Sequence, residues 1–336
     1  MPDGNGGELY VESNSPNIEV CQSVWQTQTK NRNELWGVNA VRITVCAMLL
    51  IVGLSPMPVL SQDMALSGVL VDGEGWQLVS QGHKFTEGPA VDAQGRVYFT
   101  DVPESRIFRI ELDGKVTLFD EKTANTNGLM FGPDGLLYGC RNGDKQIVAY
   151  TEKGEYTVVV EGVQSNDLVV AGNGSIWFTD PPGERVWHIS GDASRTKKIV
   201  AEGIRPNGVI LTPDQGTLVV TESQEPVLWT FRVERDGSLS HKDRYYGPVQ
   251  LPSRADRPGS DGMTVDSIGR LYVATRAGLQ MFDPTGRLGG AIAKPQAGSL
   301  SNVCFGGPNL DILYVTAGDK VYRRKVQATG VRYKKP

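Results

Sequence analysis

Six residues with a side-chain oxygen recur along the 336-residue chain at nearly constant intervals. They are Glu87, Asn127, Asn166, Asn207, Asp261 and Asn302, spaced 40, 39, 41, 54 and 41 residues apart. Each immediately precedes an apolar-alternating run, and none of the six is Lys, Arg, Ser or apolar. If the runs are equivalent strands lining one axis, six oxygen donors converge at one end of it, two of them carboxylates. That is the ligand chemistry of a hard cation. Without His or Cys, zinc and copper are disfavoured. Calcium accepts six to eight oxygens in loose geometry, whereas magnesium holds to a strict octahedron and keeps several waters. Two carboxylates would leave a divalent site near neutral. Asn and Asp also cap turns before strands, but Glu87 is a poor turn former, and all six positions obey the rule.

The runs that follow share one grammar. They read GPAVDAQGRVYFTD from Gly88, GLMFGPDGLLYGCR from Gly128, DLVVAGNGSIWFTD from Asp167, GVILTPDQGTLVVTE from Gly208, GMTVDSIGRLYVAT from Gly262 and VCFGGPNLDILYVT from Val303. Gly95, Gly135, Gly174, Gly216 and Gly269 mark the turn between first and second strands, where a hairpin needs a positive φ. Third strands such as RIFRI and QIVAY follow. Several strands per unit of about 40 residues imply a propeller, and the connections lack the 3.6-residue apolar period of crossover helices. The expected fold is an all-β six-bladed propeller over residues 68–327. The stretch GVLVDGEGWQLVSQG from Gly68 completes the last blade and closes the ring, removing open edges. The long gap between the fourth and fifth units is expected to be an outer strand and a surface loop, and residues 328–336 a basic tail.

Residues 1–41 are polar and aperiodic and are expected to be disordered or a non-native extension. Residues 42–61 have the order of a secretory signal: Arg42, an apolar stretch, then Val59-Leu60-Ser61 before Gln62. The clean apolar core of about ten residues falls short of the ~20 that span a bilayer. The expectation is therefore a secreted or periplasmic protein, with an uncleaved anchor as the alternative. Net charge is −4, against a nucleic-acid binder, and no obligate protein partner is evident. Of four cysteines, Cys21 and Cys46 lie in the leader region, while Cys140 and Cys304 are expected as buried small hydrophobes. There is no G-x-S-x-G elbow, HExxH pair or P-loop. The three histidines, His83, His188 and His241, miss the ring positions. A proton shuttle through histidine is open only to His83, four residues before Glu87.

The motifs TEGPAVDAQGRVYFTDVPESRIFRI, SNDLVVAGNGSIWFTDPP, RPNGVILTPDQGTLVVTES, SDGMTVDSIGRLYVAT and NVCFGGPNLDILYVT resemble the gluconolactonase / senescence-marker-protein-30 family over about residues 85–325. The resemblance implies a six-bladed propeller with a divalent ion, usually calcium, at the channel mouth, and hydrolysis of a small lactone or related ester. It implies Glu87, Asn207 and Asp261 as metal ligands, with Asn166 as a fourth ligand or a substrate contact. Some sugar-lactone members carry an Arg two residues before Asn166; here that position is Gln164, which cannot grip hydroxyls as a guanidinium would. Asn127 and Asn302, at positions that vary in the family, are assigned with Gln164 to substrate contact. Asp261 is the candidate catalytic residue, positioning or deprotonating the attacking water. The alternatives are an organophosphate or aryl-ester hydrolase on the same ion, and a non-catalytic binding propeller rigidified by calcium.

Overall fold

A computed structural model describes residues 66–334 of the chain. The polar extension, the leader and two of the four cysteines lie outside the described residues. What is described is almost entirely strand, in six four-stranded antiparallel sheets, the expected six-bladed propeller.

The first blade contains β2 (Thr86–Val91), β3 (Val97–Asp101), β4 (Arg106–Ile110) and β5 (Val116–Asp120). The second contains β6 (Thr126–Phe131), β7 (Leu137–Arg141), β8 (Gln146–Tyr150) and β9 (Tyr156–Glu161). The third runs through β10 (Leu168–Val170), β11 (Ile176–Asp180), β12 (Arg185–Ile189) and β13 (Lys197–Glu202). The fourth is β14 (Pro206–Leu211), β15 (Thr217–Glu222), β16 (Leu228–Val233) and β17 (Leu239–Asp243). The fifth is β18 (Met263–Val265), β19 (Leu271–Thr275), β20 (Gly278–Phe282) and β21 (Leu288–Ile292). The sixth joins β22 (Asn302–Gly306), β23 (Ile312–Ala317) and β24 (Lys320–Lys325) to β1 (Gln77–Gln81), which pairs antiparallel with β24.

The first strands touch one another in a closed cycle, β2–β6–β10–β14–β18–β22 and back to β2. They therefore line the axis. The second strand of each blade lies between two paired neighbours and is the most buried: VYFTD, LYGCR, IWFTD and LYVAT are buried at every residue. Outer strands such as β5 and β9 are half-exposed. This gradient explains the composition: β-branched and aromatic residues fill strands covered on both faces, and Lys, Thr and Glu appear at the rim.

The first-to-second turns confirm four of the five glycine marks, with φ of 96° at Gly95, 80° at Gly135, 83° at Gly174 and 90° at Gly269. The fourth blade differs. There Gln215 takes the left-handed conformation, φ 61°, and Gly216 does not. Asp214 stabilises this turn, its Oδ1 accepting from Gly216 N–H at 3.1 Å and from Thr212 Oγ1 at 2.6 Å. Cys140 and Cys304 are buried and free.

His83 is tied to the junction of the last and first blades. Its Nδ1 lies 3.5 Å from Asp101, its Nε2 is 2.7 Å from Ser80 Oγ, and its ring meets Phe99 and Phe108 edge-on. These contacts engage both ring nitrogens away from the six axial positions. His188 is 3% exposed, packed on Trp177 and the Gly237 backbone, and neither ring nitrogen has a partner. Burial, and then the Lys198 charge, push its pKa down to about 4 against the pull of Asp236.

Two predictions follow from these features. A chain beginning at Gln62 should fold, whereas one beginning at Gly82 lacks β1 and leaves β24 as an open edge; it should aggregate or lose its cooperative thermal transition. His188 is neutral in the fold and charges in the unfolded chain. Its folded pKa is depressed, so its effect is nil above about pH 6.5 and costs stability progressively as pH falls toward 4, on the order of 3 kcal/mol in all. Denaturant titrations across that window should show a shallower acid loss for His188→Leu than for the native chain. Equal slopes would mean that this histidine does not set acid stability.

Candidate active site

Related hydrogen bonds position several of the axial residues. Threonines near the ends of the second strands reach the backbone of the ring. Thr100 Oγ1 donates to the Asn127 carbonyl at 3.2 Å and Thr179 Oγ1 to the Asn207 carbonyl at 2.5 Å, each bridging to the next blade. Thr221 Oγ1 accepts from Gly208 N–H at 2.7 Å. Ser301 Oγ donates to the Thr86 carbonyl at 2.8 Å, joining the sixth blade to the first. Backbone bonds add to this: Gly128 N–H to the Asn166 carbonyl at 2.9 Å and Gly262 N–H to the Ser301 carbonyl at 2.8 Å. The acids that follow three of these threonines hold adjoining loops, Asp101 and Glu222 the segment entering the blade and Asp180 the turn leaving the second strand. Asp101 accepts from Lys84 and Phe85 N–H, Asp180 from Gly183 N–H and Glu222 from Arg205 N–H. The recurring T-D/E dipeptide is thus a two-part clamp on the ring end of the channel.

The glycine after a ring residue makes room for the next blade. A Cβ on Gly88 would stand 2.2 Å from the Asn127 carbonyl oxygen, and one on Gly262 within 2.0 Å of the Asn302 side chain. At Gly128 the obstructed atom would be Asp167 Oδ1, at 2.5 Å. Asp167 occupies the position that is Gly in four of the six repeats. That departure was the available signal for a site residue that ligand spacing alone passes over.

Glu87 is 4% exposed. Its Oε2 accepts from Gly88 N–H at 2.9 Å and from Asn302 Nδ2 at 3.2 Å. The same Asn302 nitrogen lies 3.3 Å from Asp167 Oδ2. Because Asn302 opens the sixth blade and Asp167 precedes the third, this bond spans the axis. Asn302 is oriented by Val303 N–H, which donates to its Oδ1 at 2.8 Å. Asn127, Asn166, Asn207 and Asp261 are half-buried at the same end of their blades, and Gln164 is exposed in the loop before β10. Asn207 Oδ1 is buried without a partner. The structure thus draws Glu87, Asn302 and Asp167 into one hydrogen-bonded network; it gives the side chains of Asn127, Asn166 and Gln164 no such bond.

The electrostatics are those of crowded acids. Burial, with a contribution from the Asp167 charge, pushes Glu87 up to about 7 against the Gly88 N–H and Asn302. Burial likewise pushes Asp167 up to about 7, opposed by Leu168 N–H and Asn302. Asp261 is held well above the usual carboxylate range, first by burial and then by the charges of Glu87 and Asp167, with Gly262 N–H and the Asn207 side chain in opposition. Among the described residues no basic side chain offsets any of the three. The near-neutral balance expected from two carboxylates becomes one of three. Among the described residues no three Asp, Glu, His or Cys side chains form a ready-made ligand cluster, since amides interleave the acids. An orphaned amide oxygen beside acids without a counter-charge is nevertheless a donor set suited to a hard cation.

Comparison with known proteins agrees with this architecture. A gluconolactonase of Zymomonas mobilis is 25% identical over 301 residues, covering 76% of this chain and 82% of its own length. A pentonolactonase of Haloferax volcanii is 26% identical over 260 residues, covering 71% and 84%. Among solved structures, a gluconolactonase of Xanthomonas campestris superposes with a TM-score of 0.70 at 27% identity, covering 78% of this chain and 92% of that one. The family model described as the SMP-30/Gluconolactonase/LRE-like region matches residues 85–319. The axial ring, its glycine spacing and this match across most of the propeller together make the chain a member of the SMP-30/gluconolactonase/LRE-like family.

Proposed function

We propose that this protein is a calcium-dependent hydrolase of small lactones. The observation that carries the metal requirement is the partnerless Asn207 Oδ1 at the ring end of the channel together with Glu87 and Asp167 sharing one Asn302 amide, with Asp261 raised by burial and by their charges. The lactonase names of its relatives support the reaction class. Glu87, Asn166, Asn207 and Asp261 would hold the ion. When bound, calcium supplies Lewis-acid polarisation of the ester carbonyl and charge stabilisation at its oxygen.

The residues divide the remaining work. Asp261 orients the attacking water and takes up its proton. Asn207 presents the free Oδ1 as a neutral donor, contributing geometry rather than charge. Asn302 spans Glu87 and Asp167 and fixes the floor on which the lactone rests. Asn127, Asn166 and the exposed Gln164 contact the substrate's ring substituents, with Gln164 offering an amide where a cationic grip would otherwise stand. Ring opening breaks the acyl C–O bond, adds water across it and yields a hydroxy acid.

The direct test is hydrolysis of a panel of aldonolactones and aliphatic lactones, with phosphotriesters and aryl esters as controls, before and after chelation. Lactone turnover should vanish with chelator and return with calcium; chelator-resistant turnover would sink the metal assignment. The roles separate kinetically. Glu87→Gln should weaken calcium more than about tenfold by calorimetry, since changes even behind the ligands cost that much. Asn207→Ala should recover activity in excess calcium. Asp261→Ala should stay at least about a hundredfold low in kcat at saturating calcium, the scale of a lost general base. Recovery of Asp261→Ala by calcium would reduce Asp261 to a ligand.

A further inference from the structure

Beneath the ring lies a chamber of about 530 Å³ in the channel. Asp167 and Asn302, 3.3 Å apart across the axis, line its end nearest the ring. Its walls are apolar, with Leu129, Met130, Val170, Val209, Met263 and Phe305 facing it. Its far mouth is crossed by residues 329–334. There the Thr329 carbonyl accepts from Ser267 N–H at 2.8 Å, Gly330 N–H donates to Leu310 O at 2.8 Å, and Tyr333 Oη donates to Leu211 O. Gln215 Nε2 reaches the Lys334 carbonyl at 2.9 Å.

The charge at this mouth is mixed, with an excess of cations. Arg96, Arg332 and Lys334 line it with Asp92 and Glu152. Both carboxylates are occupied by Arg96, at 2.5 Å and 3.3 Å. Arg332 is exposed and donates only to a neutral acceptor, the Asp92 backbone carbonyl at 2.9 Å. Lys334 is exposed and makes no ion pair among the described residues. An apolar cavity of several hundred Å³ with a few charges gathered at one end is the usual form of a small-molecule site.

We propose that this chamber is a second ligand site, distinct from the ring, for an amphiphile with one anionic end: an alkyl or aryl carboxylate or sulfonate. The apolar body lies along the Leu129, Val170 and Met263 walls, and the anionic head meets Arg332 and Lys334. The opposite orientation would press an anion against Asp167.

Octanoate, with 1-octanol as its neutral counterpart, tests this by calorimetry on the full chain in calcium. One octanoate should bind per chain, more tightly than octanol. Replacing both exposed cations (Arg332→Glu with Lys334→Glu) should weaken octanoate at least tenfold and leave octanol unchanged. Val209→Trp, which fills the chamber, should abolish both, provided its thermal transition remains intact. Absence of octanoate binding to the native chain overturns the proposal, as does octanoate affinity indifferent to the double charge reversal. Octanoate binding that disappears on chelation, or in Glu87→Gln, would place it at the ring and equally overturn it.

Discussion

Two buried acids, Glu87 and Asp167, share one Asn302 amide with the half-buried Asp261 within reach of their charges, and the ring end of the channel depends on that crowding. Like charges at close range in a poorly hydrated site repel strongly. Left to themselves the Glu87, Asp167 and Asp261 side chains would rotate toward water. They stay because Asn302 bonds two of them at once and because their backbones are pinned on both sides. The fold stores an electrostatic mismatch that a divalent ion would relieve. This is how a site can be organised before its ligand arrives, at a cost the rest of the core must offset.

The offset comes from many small bonds. Each Thr-to-carbonyl bridge is worth about 1 kcal/mol, too little to fix a ring alone. Repeated between blades and joined to the buried second strands, such bridges make the ring end stiff. The glycines belong to the same device. At Gly88, Gly128 and Gly262 a methyl group would collide with residues at the ring end of the neighbouring blade, so close inter-blade packing and the placement of the axial side chains are one requirement.

Much of this was legible in the chain. The repeat, its turns and the oxygen-bearing residue at the entry to each first strand are local patterns, and local patterns survive in sequence, although Glu87, Asn127, Asn207 and Asn302 lie inside their strands rather than before them. So did the third strands RIFRI and QIVAY, which are β4 and β8 to the residue. Two things were not. Gln215 adopts the left-handed turn that Gly216 was expected to take, because Asp214 and Thr212 fix that turn by side-chain bonds. Asp167 was hidden because its partners, Glu87 and Asn302, lie in other blades, far away in sequence. Spacing identifies equivalent positions; it does not say which of them meet across the axis.

The sixth blade takes three strands from the end of the described chain and one from its beginning. Such a closure is the longest-range strand pairing among the described residues, and long-range pairing is slow to form because its loop must close first. During synthesis five blades can assemble while β1 waits without a neighbour. Only when β24 emerges does the last seam zip shut. A chain interrupted before Lys320 keeps the first strands of all six blades but lacks β24, and with it the seam to β1. Until then Leu78, which remains half exposed even in the finished fold, stands on an open edge available to the wrong partner.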